Sequence, residues 1–188
     1  NLGVDAANIG TVANPLNIDA DNLAVNADTD AFVSDSDDVT LVDSVTATAA
    51  NDSVTGNTAG NDLRVVAVGD LTVNAGTNGV SADDIDLVST GANVNLTDGT
   101  VAAVDAVVIK ANGNITQAAG ETLTGTNIGL EAGGNIGTPN AGTDNNAIAF
   151  NATNLALTAG GSANARDTAG GVTLVNSVTA VQETVTGT

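Results

Sequence analysis

The chain has 188 residues, of which 42% are hydrophobic and only 1% aromatic, so it can form a core, and small aliphatic side chains must build it. Asp and Glu number 22 against three basic residues, and the net charge of −19 excludes binding to nucleic acid and to anionic membrane surfaces, which require clustered Lys and Arg. The absence of cysteine fits a secreted bacterial product without cross-links, no apolar run reaches membrane-spanning length, and no signal peptide opens the chain.

Short apolar pairs recur along the chain and predict many short strands. Val, Ile, Leu and Thr are abundant and 22 glycines interrupt them, which favours strands and tight turns over helices. In chain order, the predicted strands start at Leu2, Leu16, Val39, Leu63, Ile85, Val107, Ile128, Ile148 and Val172. Most of these starts lie 20 to 24 residues apart, which indicates a repeating unit.

A second apolar position follows each predicted strand start by six to nine residues, and a small polar residue precedes it. These polar residues are Asn8, Asn22, Ser44, Asp70, Asn93, Asn114, Asn135, Asn154 and Ser177, before Ile9, Leu23, Val45, Leu71, Val94, Ile115, Ile136, Leu155 and Val178. Asn and Asp suit sharp corners because they tolerate left-handed backbone conformations and bond neighbouring amides. The pattern predicts one corner repeated nine times and stacked into an amide ladder.

This periodicity predicts an all-β fold, a parallel β-helix (β-solenoid) of about eight to nine coils of 20–24 residues. Each coil is expected to consist of a strand, a corner, a second strand and a looser third side. Neither end of the chain shows the polar cap that a solenoid needs, so both ends are expected to be uncapped. We expect an excerpt of a longer array, or a unit whose ends meet other copies.

A longer repeat overlies the coils. Residues 39–47 (VTLVDSVTA) return at 172–180 (VTLVNSVTA) with eight of nine positions identical, and NIGT occurs at both 8–11 and 135–138. Residues 1–47 therefore resemble 127–180. We predict that residues 1–188 form a single solenoid segment with about 1.4 copies of a six-coil repeat.

Residues 8–25 (NIGTVANPLNIDADNLAV) and 113–117 (GNITQ) resemble the repeats of filamentous-haemagglutinin-like exoproteins of Gram-negative bacteria, which use two-partner secretion. The resemblance covers most of the chain and lies in the style of the repeat. It implies a right-handed β-helical fibre, exported through an outer-membrane partner and used in adhesion, biofilm cohesion or toxin delivery. Because neither a secretion domain nor a toxin is recognisable here, only the shaft of such a protein is inferred.

The residue inventory bears on two kinds of site, an enzyme active site and a metal site. A β-helix enzyme acting on carbohydrate would need basic or aromatic residues beside its acids, but Lys110 is expected to be solvated and Arg64 and Arg166 have no aromatic neighbour in sequence. Without histidine, no Ser-His or Cys-His nucleophile is possible. We therefore predict no catalytic residues and no cofactor.

An acidic stretch raises the question of calcium. The carboxylates Asp28, Asp30, Asp35, Asp37 and Asp38 lie within eleven residues, but their spacing does not match an EF-hand or a calcium β-roll. A solvated acidic loop is preferred to a metal site.

The sequence thus favours a non-enzymatic shaft of a secreted repetitive surface protein, an adhesin or matrix fibre at the bacterial cell surface. The expected partners are neighbouring repeats or copies end to end, and glycans or matrix bridged by cations, with no nucleic acid and no membrane insertion. The alternatives are a self-assembling extracellular filament or sheath subunit and, less favoured, a carbohydrate-active β-helix enzyme.

Overall fold

A computed structural model describes residues 1–47, 52–138 and 147–188, and within these ranges the chain forms 22 strands and no helix, hence no helix that could cross a membrane. The strands are β1 (Leu2–Ala6), β2 (Leu16–Ile18), β3 (Asn22–Ala27), β4 (Ala31–Asp35), β5 (Val39–Val42), β6 (Ser44–Thr46), β7 (Ser53–Thr55), β8 (Asn57–Ala59), β9 (Asp62–Ala67), β10 (Leu71–Asn74), β11 (Val80–Ser89), β12 (Val94–Asp98), β13 (Val101–Ala111), β14 (Ile115–Gln117), β15 (Leu123–Thr124), β16 (Asn127–Ala132), β17 (Ile148–Asn151), β18 (Asn154–Ala159), β19 (Ala165–Asp167), β20 (Thr173–Leu174), β21 (Ser177–Thr179) and β22 (Thr184–Thr186).

Eighteen of these strands belong to one sheet, in which all the described pairings are parallel. The other four form two antiparallel hairpins, β6–β7 and β21–β22. The sheet curls on itself, because strands that are neighbours in the sheet are separated in sequence by the rest of a circuit. The predicted all-β, parallel, solenoid-like architecture is therefore confirmed.

Three stacked faces organise the sheet. Face 1 consists of β5, β10, β12 and β14, extended by the bridges of Ile115 to Ile136 and of Ile136 to Ala163. Face 2 consists of β8, the first parts of β11 and β13, β15, β17 and β19. Face 3 consists of β4, β9, the second parts of β11 and β13, β16, β18 and β20. The third side, expected to be loose, thus carries strands of its own.

Face 3 holds four of the nine predicted strand starts in one column, Leu63, Ile85, Val107 and Ile128. The column continues to Leu155, which the sequence had assigned to the second strand of a coil. Other predicted starts lie elsewhere: Ile148 is on face 2 and Val39 is on face 1. The single alignment of all nine starts is therefore wrong, because apolar spacing alone does not say which face a strand joins.

The core lies inside the three faces and is aliphatic, as the composition predicts. Its fully buried members include Leu23, Leu41, Leu63, Leu71, Ile85, Leu87, Leu96, Ile109, Ile115, Leu123 and Ile128, with Phe150 as the largest. Alternate residues of each strand point inward, so each added strand extends the same apolar columns. Backbone pairing and core packing thus grow together along the stack.

The two hairpins correct a further prediction. Val45 and Val178 were expected to begin the second strand of a coil, but they lie in β6 and β21 and face Val54 and Val185 across antiparallel pairs. Thus the repeated motif VTLV(D/N)SVTA encodes a strand followed by the first arm of a hairpin.

Candidate functional site

A ladder of carboxylate and amide side chains lines the corner before face 1. Each member accepts a hydrogen bond from the backbone N–H one coil further on. The bonds run from Asp70 N to Asp38 (2.7 Å), from Asn93 N to Asp70 (2.8 Å), from Asn114 N to Asn93 (2.8 Å), from Asn135 N to Asn114 (2.8 Å) and from Ser162 N to Asn135 (2.8 Å). Sharp corners leave backbone amides without strand partners, and these oxygens satisfy them. The predicted ladder is confirmed at Asp70, Asn93, Asn114 and Asn135.

The other five predicted corner residues do not join this ladder. Asn154 stacks at a second corner, where its Nδ2 donates to Asn127 Oδ1 (2.8 Å) and Asn127 Nδ2 donates to Asp105 Oδ1 (2.7 Å). Asn8 accepts from the Thr29 hydroxyl, and Asn22 Nδ2 donates to Asn1 Oδ1 at 2.6 Å. Ser44 and Ser177 begin the hairpins. Asn is favoured at more than one kind of corner, so its recurrence did not identify the corner.

Asn114→Ala tests the ladder at its centre. The substitution leaves the N–H of Asn135 without its acceptor and removes the donor to Asn93, so we expect a loss of about 1–3 kcal/mol in the free energy of unfolding. Asn112→Ala is the matched control, since the exposed Asn112 side chain lies outside the ladder. Urea unfolding of both variants measures the difference, and equal losses would contradict the assignment.

An acidic ridge marks the corner between faces 2 and 3, formed by Asp30, Asp62, Asp83, Asp84 and Asp105. Asp84 Oδ1 accepts the N–H of Ala106 at 3.0 Å, so part of the ridge caps the backbone. Burial, with added repulsion from Asp30 and Asp83, raises the pKa of Asp62 above its ordinary value. Burial also raises the pKa of Asp84, with repulsion from Asp105, Asp62 and Asp83 added to it and the bond from Ala106 opposing it. The ridge therefore holds like charges together at neutral pH.

Asp62→Asn is expected to stabilise the protein at pH 7 and low salt by about 0.5 kcal/mol, since it removes a repelled and half-exposed charge. The folded-state pKa of Asp62 is raised, so protonation of Asp62 stabilises the folded wild type. This stabilisation is fully present below pH 3.8 and is lost as the pH rises through the folded-state pKa. The gain should therefore vanish in acid and shrink in 1 M NaCl. Thermal unfolding across pH and salt measures it, and a gain insensitive to both would argue against the charge effect.

An ion cluster lies on the outer side of face 3. The Nη2 of Arg64 lies 2.7 Å from Glu183 Oε1, and Lys110 Nζ lies 3.2 Å from Glu131 and 3.3 Å from Glu183. Arg64 Nε lies 3.6 Å from Asp86 Oδ2, which accepts the N–H groups of Gln182 and Glu183 at 2.8 and 3.1 Å. The expectation of a solvated Lys110 is wrong, and the register places Phe32 beside Arg64, an aromatic neighbour that the sequence did not reveal.

The Asp86 side chain is fully buried, and among the described residues its Oδ1 has no hydrogen-bond partner. Burial raises its pKa to about 6, although the N–H groups of Gln182 and Glu183 and the charge of Arg64 oppose the rise. Burial alone would raise the pKa of Glu183, but Arg64 and Lys110 lower it. Burial would lower the pKa of Lys110, but its pairs with Glu131 and Glu183 raise it. The cluster thus binds the turn of the β21–β22 hairpin by charge.

The same hairpin is fixed by apolar packing. Val178 and Val185 are buried against Ala106, Val108 and Ala156 in a second small core outside the solenoid. Gly129 lets the hairpin approach, because a Cβ there would lie 3.1 Å from Val108 Cγ2 and from Val185 Cβ. A glycine on the outer side of face 3 therefore marks a docking surface for a hairpin.

The β6–β7 hairpin docks in the same way at the other copy of the motif. A Cβ on Gly3 would lie 3.0 Å from Val54 Cγ2 and 3.3 Å from Val45 Cβ. Gly3 thus lies against Val45 and Val54 of its hairpin, as Gly129 lies against Val185 of the other hairpin. The register repeats as well: β3 pairs with β1 and β5 as β18 pairs with β16 and β20. The part of the second copy at 139–146 lies outside the described residues.

The acidic stretch, for which a solvated loop was preferred to a calcium site, is divided between two corners. Asp28 and Asp30 precede β4, whereas Asp37 and Asp38 follow it. Asp35 is buried, with Oδ2 accepting the N–H of Ala20 at 3.1 Å and Oδ1 that of Asp37 at 2.9 Å. Hydrogen bonding with Asp35, and then burial and repulsion by Asp19, raises the pKa of Asp37. In the described ranges no three acidic side chains are grouped as metal ligands would be.

The two copies share one of these acids. Asp167 Oδ1 accepts the N–H of Ala169 at 3.0 Å, as Asp35 accepts that of Asp37. Asp35 ends β4 beside Ile18 of β2, as Asp167 ends β19 beside Phe150 of β17. The solvated acidic loop expected here is therefore wrong for the buried Asp35, whereas Asp28, Asp37 and Asp38 are exposed, although Asp38 also accepts the N–H of Asp70.

A groove of about 400 Å³ lies between faces 2 and 3 near the carboxyl-terminal end. Small side chains line it, among them Thr124, Thr126, Asn151 and Thr153, with Asp167 as the carboxylate among the lining residues of the described chain. A glycosidase needs two carboxyl groups on either side of the bond that it cleaves. The groove brings together hydroxyl and amide groups that could bind polar ligands, but not such a pair.

Comparison of the chain with protein-family models, curated proteins and solved structures finds no match in any of the three.

Proposed function

We propose that this chain is a rigid, non-catalytic shaft segment of a large secreted repetitive bacterial surface protein, an adhesin or a fibre of the extracellular matrix. The supporting observation is the unbroken column of face 3, whose strands stay in register for seven layers. The column runs through Ala31, Leu63, Ile85, Val107, Ile128, Leu155 and Leu174. At roughly 4.8 Å per layer, six steps extend about 30 Å in one direction.

Stiffness follows from this construction. Each layer bonds its backbone to the next and adds inward side chains to a continuous core, so bending separates bonded strands. The corner ladder adds a second set of bonds along the same axis. Such a rod separates what is attached to its ends, which is the task of a shaft.

Finer features of the fold belong to the proposal. We propose a right-handed β-helix, in keeping with the handedness of nearly all parallel crossover connections, with about eight to nine coils of 20–24 residues where no hairpin interrupts them.

The acidic surface suits an extracellular setting. Like charges along the rod repel and prevent lateral pairing, and the salt of an exterior medium screens that repulsion within about 8 Å. Contact with anionic glycans or matrix would need bridging cations. Secretion through an outer-membrane partner remains part of the proposal that rests on the family resemblance.

A filament subunit is the second candidate, and one observation favours it. Leu155, Leu157, Leu174 and Val175 line an apolar groove of about 260 Å³ at the end of face 3, and Leu174 is 73% exposed. Another copy could bury these side chains by stacking. A carbohydrate-active enzyme is the weaker third candidate.

Electron microscopy of the native material tests the proposal. A shaft appears as a smooth rod of continuous coils joined to one long polypeptide, and denaturing electrophoresis then shows a single very large chain. Short chains that polymerise end to end would support the filament instead. Sugar turnover lost with Asp167→Asn would support the enzyme.

A further inference from the structure

The edge of β1 that faces away from β3 is an apolar, acid-flanked surface. Among the described residues β1 pairs only with β3. Leu2 and Val4 pack against the core from this side but stay half-buried. The interior of the same molecule shows what such an edge receives, because β1 has a structural equivalent there.

That equivalent is β16. The residues NLGVDA at 1–6 match NIGLEA at 127–132, and both segments pair in the same register with a strand that begins Asn-Leu-Ala. Asn22 donates to Asn1 as Asn154 donates to Asn127. Each segment then presents a glycine to a hairpin of the VTLV(D/N)SVTA motif. The two strands are thus the same element of the repeat.

The opposite edge of β16 is occupied by the second part of β13. Val107 lies beside Ile128, Ile109 beside Leu130 and Lys110 beside Glu131. The apolar residues continue the core, whereas Lys110 Nζ reaches Glu131 at 3.2 Å and Glu183 at 3.3 Å. A strand with one outward lysine therefore fits this edge of the repeat element.

The acids that hold Lys110 have counterparts at β1. Asp5 corresponds to Glu131, and Asp52 precedes the second arm of its hairpin as Glu183 does. Ala47 N donates to Asp52 O at 2.8 Å and Ala180 N donates to Glu183 O at 3.2 Å, with four residues between the first pair and two between the second. Both Asp5 and Asp52 are exposed, and neither takes part in the ion pairs of the described residues. The edge thus carries two carboxylates at positions that correspond to Glu131 and Glu183 in the repeat.

We propose that the free edge of β1 is a docking surface for a coil of the same repeat, which presents a parallel strand like residues 106–111 with a lysine facing Asp5 and Asp52. The inference rests on the proposed shaft function, and it specifies the side chains that the adjoining coil must present at this edge. A second folded copy does not offer this strand, since its own β16 covers it.

The test extends the full chain by a copy of residues 62–126 placed directly before Asn1. The junction then reproduces the natural step from Thr126 to Asn127, and the copy brings its own Arg64 and Lys110. Hydrogen exchange is followed at Leu2–Ala6 in the extended and the unextended chain. We expect the amides there that do not bond β3 to exchange about tenfold more slowly, or slower still, in the extended chain.

A charge swap separates specific docking from general crowding. Lys110→Glu in the added copy alone should remove much of the protection, because it places a third carboxylate beside Asp5 and Asp52. Adding Asp5→Lys should restore it. Because each substitution changes one outward side chain, the core of the copy stays intact.

Unchanged exchange at β1 in the extended chain, or no response to the charge swap, would overturn the proposal. Dimers of the unextended chain that protect Leu2–Ala6 to the same degree would also overturn it, because a second copy would then be the occupant. Microscopy of the native material tests the shaft function independently. Protection at β1 without continuous rods would contradict the shaft function but support the docking surface. Continuous rods without protection at β1 would contradict the docking surface alone.

Discussion

Gly133→Ala is expected to lower the free energy of unfolding by about 2–4 kcal/mol, although Gly133 is exposed. A Cβ at this corner would be driven into the carbonyl oxygen of Asn112, one layer below. Backbone at both positions is fixed by the stack, since Gly133 N donates to Ala111 O at 2.9 Å and Asn112 N to Ser89 O at 3.1 Å. The layers must therefore separate locally or the corner must change conformation.

Gly125→Ala is the matched control. A Cβ on Gly125 would meet Asn127 O at 3.4 Å and Asp105 O and Val107 Cγ2 at 3.5 Å, which are ordinary contacts. Because alanine restricts the unfolded chain, this substitution should be neutral or stabilise by up to about 1 kcal/mol. Urea unfolding of both variants gives the comparison. If Gly133→Ala behaves like Gly125→Ala, the tight stacking at this corner is refuted.

Asp86→Asn is expected to change the pH dependence of stability by about 3 kcal/mol in total. Burial raises the pKa of Asp86 to about 6 from 3.8, so the folded state takes up its proton first as the pH falls. The stabilisation of the folded state by protonated Asp86 is fully present below pH 3.8 and is lost as the pH rises through about 6. Asparagine cannot titrate, so the variant lacks this term while it can still accept a bond from Gln182 or Glu183.

The measurement is the difference in unfolding free energy between Asp86→Asn and the wild type from pH 7.5 to pH 4. We expect the difference to move in favour of the wild type as the pH falls. The ion pair with Arg64 exists only while Asp86 is ionised, and its effect is already contained in the raised pKa, so the slope reports the whole titration of Asp86. The slope should persist in 1 M NaCl, because salt screens buried charges weakly. A flat difference would show that Asp86 titrates normally.

Opposing titrations set the pH range of the hairpin. The pKa of Glu183 is lowered, so its contribution is present above 4.5 and is lost as the pH falls through its folded value. The Asp86 contribution grows as the pH falls from about 6 to 3.8, whereas that of Glu183 declines only below pH 4.5. The comparison of Asp86→Asn with the wild type isolates the contribution of Asp86 from that of Glu183, because Glu183 is present in both proteins.

The sequence by itself determined the fold class and the kind of core. Small aliphatic residues at alternate positions, many glycines and regular spacing require short stacked strands, whatever the later arrangement. It also identified four members of the corner ladder, Asp70, Asn93, Asn114 and Asn135, since a sharp corner needs an acceptor for a backbone N–H that has no strand partner. Both copies of the VTLV(D/N)SVTA motif were visible as well. These are local requirements, and local composition reveals them.

Only the tertiary structure decided which face each strand joins. Ile128 and Leu155 look like the first and second strands of different coils, yet they are neighbours on face 3. The hairpins were read as coil strands because antiparallel and parallel strands share the same apolar alternation. The distinction depends on pairing partners, which alternation does not specify.

The ion cluster was also beyond the reach of the sequence. Arg64 and Glu183 are 119 residues apart, and Asp86 and Gln182 are 96 apart, so no spacing rule connects them. The chain winds back on face 3 until Arg64, Asp86 and Lys110 lie together, and the hairpin then folds over them. The burial and charge pairing of this cluster depend on the stacking of the layers, because the intervening layers set the position of each residue.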